Sequence, residues 1–305
     1  MALSILEQVM NGVGFGLILF LMAAGLTIVF GVMDTMNLAH GSLFMLGAYF
    51  AATAYPLTHS FTLAVVVAVA LTMVVGAALE TTLMRQLYAR SHMNQVVATF
   101  GVILITNDLV KYFWGPAPVL AATPPALSGS VTLFGSFEYP AFRLLIIAVG
   151  IVVALVLYFM MTHTRLGMLV RAGASNRSMT QLMGVRVRRV FLAIFLLGAA
   201  LAGIGGSLMG PVTAVQNGMG DAIMIPALVV IVIGGIGSVR GAFIAALLVG
   251  IVDTAGRAFI PALIQKVAPP VVAGDLGPAL ASVLMYVLMI VVLGCKPQGL
   301  FPARG

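Results

Sequence analysis

Apolar residues run along this chain in long blocks, separated by short polar breaks. The blocks predict membrane-crossing helices at 9–31, 38–55, 62–84, 95–113, 142–162, 191–210, 222–237, 241–259 and 277–294. At about 1.5 Å of rise per residue, roughly 20 residues cross a hydrocarbon core about 30 Å thick. The segments 222–237 and 241–259 are short and interrupted by glycine, and either could be half-spanning. The pattern therefore predicts an all-α, polytopic membrane helix bundle of eight to ten transmembrane helices. It forms a single domain over residues 1–305.

Composition supports that class. With 62% hydrophobic and 8% charged residues, and a mean hydropathy of +1.17, no soluble fold is expected, since soluble domains carry about 25% charged residues. A net charge of +7 raises nucleic acid as a partner, but the cations fall where membrane orientation would put them, so lipid is the expected contact. One cysteine, Cys295, excludes an internal disulfide and a cysteine metal cluster. The first apolar run has no Lys or Arg before it, and it is expected to remain as a span rather than to serve as a signal peptide.

Charge then sets orientation. Residues His163 to Val190 hold Arg165, Arg171, Arg177, Arg186, Arg188 and Arg189 and no acid, the pattern of a cytoplasmic loop. Alternation places 85–94, the turn around Arg240 and the tail with Lys296 and Arg304 on the same side. Together these regions hold eleven of the fifteen Lys and Arg residues. The segments 114–141, 211–221 and 260–276 fall outside with Glu138, Asp221 and Asp275. The C-terminus is then cytoplasmic and the N-terminus periplasmic.

Within the basic loop, Met179, Leu182 and Met183 recur at helical spacing, Ser175 or Asn176 can cap the start, and Gly184 can end the helix. Such a rod would be about 13 Å long. It either lies on lipid headgroups or docks a soluble cytoplasmic partner.

Polar groups inside the spans cost free energy unless paired. Asp253 with Arg257 and Asp108 with Lys111 can each neutralise themselves on one helix face; Glu80 needs Arg85 or another helix. Thr106 and Asn107 are candidates for a polar path through the fourth span. Gly12 with Gly16, and Gly206 with Gly210, have the spacing that lets helices approach closely.

The stretch Gly25 to Ala52, GLTIVFGVMDTMNLAHGSLFMLGAYFAA, interrupts an apolar run with Asp34, Thr35, Asn37, His40 and Ser42. In lipid such a break must pack against protein or line a cavity. Asn37 can cap the following helix. The break is either a broken helix of the kind that forms transporter sites or a tight turn between spans.

These residues carry a resemblance. NLAHGSLFMLGAY, GMLVRAGASNRSMTQLMGVRV, GGIGSVRGAFIAALLVGIVDT and GLFPARG stand in the same order as matching segments of the permease subunits of branched-chain amino acid ABC importers, and the similarity covers essentially the whole chain. It implies a multi-pass subunit of the bacterial inner membrane. The implied partners are a second homologous permease, two cytoplasmic ATPase subunits and a periplasmic substrate-binding protein. The family's coupling helix falls on Arg171 to Gly184, so the resemblance implies ATPase docking through Arg171, Ala172, Asn176, Met179, Leu182, Met183 and Gly184. Met179 departs from the alanine more often found there. Asn37, His40, Gly41 and Ser42, with Thr106 and Asn107, are assigned to the translocation path or its gate. The substrate is left open among branched-chain amino acids, other amino acids, amides and urea.

No phosphate-cradling G-x-x-x-x-G-K-[ST] run, nucleophile elbow or H-E-x-x-H pair occurs. The chain is therefore expected to be non-catalytic, with no metal or cofactor of its own and with ATP and Mg on the partner ATPases. The rival function is a secondary transporter driven by an ion gradient, which needs an unpaired titratable group in the membrane.

Overall fold

The computed structural model describes residues 2–133, 137–175, 177–266 and 270–301. The chain is an all-α, multi-pass membrane protein. Its helices are α1 (Ala2–Met33), α2 (His40–Thr58), α3 (Phe61–Leu79), α4 (Arg85–Leu87), α5 (His92–Trp114), α6 (Ala141–His163), α7 (Arg165–Ser175), α8 (Arg177–Leu182), α9 (Val187–Thr213), α10 (Met219–Gly234), α11 (Val239–Ile264) and α12 (Pro270–Cys295). Among the described residues, six helical stretches are long and apolar enough to cross a membrane. All nine predicted spans fall on helices. The segment predicted at 241–259 belongs to the 26-residue α11, about 39 Å long, so it is not a half-span; α10, at 16 residues, rises only about 24 Å. One feature was not expected: β1 (Ser130–Leu133) and β2 (Phe137–Pro140) pair antiparallel within 114–141.

Backbone contacts group the chain into two compact units. The first comprises residues 1–20, 125–152 and 226–305. Here the start of α1 packs on α11 through glycine. A Cβ at Gly12 would lie 2.7 Å from the Ile251 Cα, and one at Gly16 would lie 2.7 Å from the Ala246 carbonyl oxygen. Phe20 meets Phe243 edge-on at 5.2 Å. Asn11 Oδ1 accepts from the Tyr139 hydroxyl at 2.9 Å and also from the Arg143 guanidinium. Asp253 is buried and accepts from Arg257 Nε at 2.8 Å, the expected self-neutralising pair. Ser238 caps α11 by accepting from the Gly241 amide at 3.1 Å.

The second unit comprises 21–124 and 153–225, and its core is α2, α3 and α9. The predicted small-residue surface of α9 is where α2 crosses. A Cβ at Gly206 would sit 1.9 Å from the Phe44 carbonyl oxygen, and one at Gly47 would sit 2.6 Å from the Gly203 Cα. Ser207 Oγ donates to the Gly203 carbonyl at 2.7 Å and to the Gly47 carbonyl at 3.3 Å, joining the two helices. Without a hydrophobic driving force between helices in lipid, close van der Waals contact of this kind is what holds them together.

α3 ends in a π-helical turn, Glu80–Met84, which inserts an extra residue and turns Glu80 inward. Glu80 is fully buried; its carboxylate accepts from Arg85 at 3.1 Å and from the Tyr88 hydroxyl at 3.1 Å. Arg85 is thus the expected partner, and Tyr88 is an additional one. Asp108 and Lys111 pair at 3.3 Å on an exposed face.

The packing makes a contrast that a melt can check. Gly206→Ala must force α2 from α9, an overpacking of about 1–3 kcal/mol. Gly101→Ala, whose Cβ meets nothing within 4 Å, should instead gain about 0.5–1 kcal/mol from helix propensity. Thermal unfolding of the detergent-solubilised protein is expected to fall for the first and to hold or rise for the second.

Candidate functional site

The polar break after α1 is built by backbone groups that need partners. Asp34 adopts a left-handed conformation (φ 52°) that stops the helix, a geometry Asp tolerates better than most residues. Asn37 does not cap α2 as predicted. The N-cap is Ala39, and Asn37 Oδ1 accepts from the Ala39 amide at 3.1 Å, two residues on, in an Asx turn.

Two side chains of α5 hold the rest of the break. Gln95 Oε1 accepts from the Met36 amide at 3.1 Å, and Thr99 Oγ1 accepts from the Leu38 amide at 3.3 Å. Gln95 Nε2 also donates to the Leu87 and Arg90 carbonyls, each at 3.2 Å. One buried amide therefore ties the break to the turn that precedes α5.

His40 opens α2 and is 1% exposed. Its imidazole lies in a slot made by two glycines. A Cβ at Gly25 of α1 would be 2.8 Å from His40 Nε2, and a Cβ at Gly198 of α9 would be 3.2 Å from His40 Cε1. A side chain at Gly25 would force the ring to shift, and one at Gly198 would crowd it. Along the same stretch of chain, the hydroxyls of Thr27, Thr35 and Ser42, the Asn37 Nδ2 and the His40 Nε2 are buried with no hydrogen-bond partner among the described residues. Buried polar atoms without partners are scarce in folded proteins, and five within sixteen residues of sequence single out this segment.

Gly41 brings in a second helix start. A Cβ at Gly41 would lie 2.5 Å from the Gly220 carbonyl oxygen, and one at Gly220 would lie 2.1 Å from that of Gly41. The first turns of α2 and α10 are thus in contact. Asn107 reaches the same first turn of α10, where Nδ2 donates to Asp221 Oδ2 at 3.1 Å. Asp221, predicted to lie in an outer loop, is in fact a helical residue. Thr106, by contrast, donates to the Val102 carbonyl at 2.8 Å on its own helix and does not join the group.

The basic loop folds as two helices rather than one. α7 was not predicted; Ser175 is its last residue, not the cap of the next helix. α8 spans six residues, about 9 Å, shorter than expected. Asn176 lies outside the described residues. Met179, Leu182 and Met183 are 58%, 83% and 80% exposed, and Gly184 takes a left-handed φ of 81° beyond the end of α8. The Arg171 guanidinium, expected to dock, donates to the Met161 carbonyl at the end of α6. Ala172 accepts from the Thr180 hydroxyl at 3.1 Å, so Arg171 ties the loop to α6 and Ala172 ties α7 to α8. The docking set thus divides into an exposed apolar trio and residues that brace it.

Gln95, Asp221, Gly25 and Gly198 were not singled out from the sequence. For Gln95→Leu, the Met36 amide and two carbonyls lose a buried partner, at about 1–3 kcal/mol for each group left unsatisfied. Hydrogen exchange at the Met36 amide is expected to quicken by about tenfold or more, with the amides at the middle of α9 unchanged.

The sequence model described as "Branched-chain amino acid transport system / permease component" matches residues 8–293. The chain is 28% identical to the high-affinity branched-chain amino acid transport permease BraD of Pseudomonas aeruginosa over 97% of its length and 95% of that protein. It is 27% identical to the corresponding LivH of Escherichia coli K12 over 97% of this chain and 94% of the relative. A ribose import permease, RbsC of Escherichia coli K12, is 25% identical over 76% of this chain and 72% of its own length. No solved structure matches the chain. A multi-pass helical chain, matched by that model from near its first residue to near its last, belongs to the family of branched-chain amino acid transport permeases.

Proposed function

We propose that this chain is the transmembrane permease subunit of an ATP-driven importer of branched-chain amino acids, a single permease domain over residues 1–305. It forms half of the translocation path in the bacterial inner membrane. A second homologous permease supplies the other half, two cytoplasmic ATPase subunits bind ATP and Mg, and a periplasmic binding protein delivers substrate. The chain itself is non-catalytic and carries no cofactor. Its C-terminus and the basic loop 163–190 are cytoplasmic, and its N-terminus is periplasmic.

The observation that carries this reading is the apolar trio on α8 and the turn that ends it. Three large apolar side chains project from a segment flanked by Arg171, Arg186, Arg188 and Arg189, on a helix braced through Thr180. A helix lying on lipid would not need that bracing, whereas a coupling helix must transmit force without bending. The buried break at Asn37, His40, Gly41 and Ser42, with Asn107 and Asp221 at the start of α10, is the path or its gate; Thr106 is a supporting residue.

An ion-driven carrier would need a free titratable group at depth. Glu80, Asp108 and Asp253 each have a cation partner, whereas Asp221 and the buried His40 have none among the described residues, so the driving force is what separates the two readings. Uptake into vesicles supplied with ATP, the ion gradients collapsed, is expected to persist; uptake that vanishes would favour the carrier. Leu182→Asp and Met183→Asp each place a charge in the proposed docking contact. They are expected to lower ATP-linked leucine uptake by about tenfold or more, a loss of at least ~1.4 kcal/mol at the contact. Membrane insertion, followed by blotting the membrane fraction, should be unchanged.

A further inference from the structure

Resting on the transport reading above, we infer that Asp221, with Asn107 and Asn217, recognises the ammonium group of the amino acid as it passes the start of α10. Asp221 sits in the first turn of that helix, where its backbone amide donates to the Gly218 carbonyl at 3.0 Å. An acid there is favoured by the helix dipole, which explains its tolerance but not its surroundings. None of the ion pairs formed among the described residues involves Asp221; its carboxylate is held by the neutral amide of Asn107 at 3.1 Å.

Two acceptors lack a donor, one on Asn107 and one on Asn217, four residues before Asp221 in the chain. The Asn107 Oδ1 belongs to the same amide that grips Asp221, and the Asn217 Oδ1 belongs to the turn one residue before Gly218. Both oxygens are buried with no hydrogen-bond partner among the described residues. A carboxylate without a cation beside acceptors without donors calls for a cationic donor. A primary ammonium supplies three N–H groups and one positive charge. Calcium or magnesium would demand about six or more oxygen ligands, which this group does not offer.

The location suits a transported ligand. Gly220, the residue before Asp221, touches Gly41, so the group borders the buried polar break of α2. Asn107 stands on α5, two turns from Trp114 at the end of that helix. An amino acid travelling along the break would meet a counter-charge for its nitrogen there.

Deuterium labelling of the wild-type importer, assembled with its partner subunits and free of nucleotide, tests this directly, with mass spectrometry reading amide exchange over residues 218–223. The probes are leucine, isoamylamine, 2-hydroxy-4-methylpentanoate and sodium chloride at equal concentration. Leucine and isoamylamine are expected to reduce labelling about fivefold or more, the other two not. Protection by the hydroxy acid or by sodium, or none by isoamylamine, would overturn the proposal. As a second measurement, Asp221→Asn is expected to lower ATP-linked leucine uptake by about tenfold or more; uptake at the wild-type rate would overturn it. A wild-type assembly that takes up no leucine would instead count against the broader transport reading, because isoamylamine protection reports on the ammonium site alone.

Discussion

A backbone amide inside a bilayer has no water to bind, and most of this structure answers that constraint. Helices satisfy it within themselves, and the chain is built almost wholly of them. The break between α1 and α2 cannot, so side chains of another helix take over its amides. Gln95 and Thr99 are to this segment what a neighbouring strand is to a sheet edge. The break is held in place because α5 supplies the missing hydrogen bonds. Its side chains are then released from capping duty and left with buried polar atoms to offer.

A second constraint follows from the first. Helices that already satisfy their own backbones have little reason to associate in lipid except close contact. The glycines supply it where α1 meets α11 and where α2 crosses α9. At Gly25 and Gly198 the same economy of side chain serves another end, making room for the ring of His40 rather than for a helix. Small residues thus do two jobs, and only the surroundings distinguish them.

The sequence made the fold legible because helix length and lipid thickness are tied, so apolar blocks of about twenty residues map onto spans. It also pointed to the break, since Asp34, Asn37, His40 and Ser42 in an apolar run are conspicuous. What it could not reveal was who satisfies whom. Gln95 acts on Met36 from 59 residues away, and Asn107 meets Asp221 across 114. Asp221 misled because acids after a Gly-rich stretch usually mark a loop, whereas here α10 starts early enough to include it. Arg171 carries a contact to the end of α6 that neither its charge nor its position in the loop announces. Tertiary hydrogen bonding leaves no periodicity to read.

In the proposed role, α9 links the two functional stretches of its unit. It begins at Val187, five residues beyond the end of α8, and carries Gly198 about 16 Å along its axis. Gly198 bounds the His40 slot, and Gly203 and Gly206 bear on α2 itself. The contacts there are backbone against backbone, with no flexible side chain to absorb a shift. A displacement of α8 delivered by a motor would therefore reach the break as movement of α9 against α2, rather than dissipate as side-chain rearrangement. Close glycine packing, needed to assemble the unit, is also what would make it a stiff transmission.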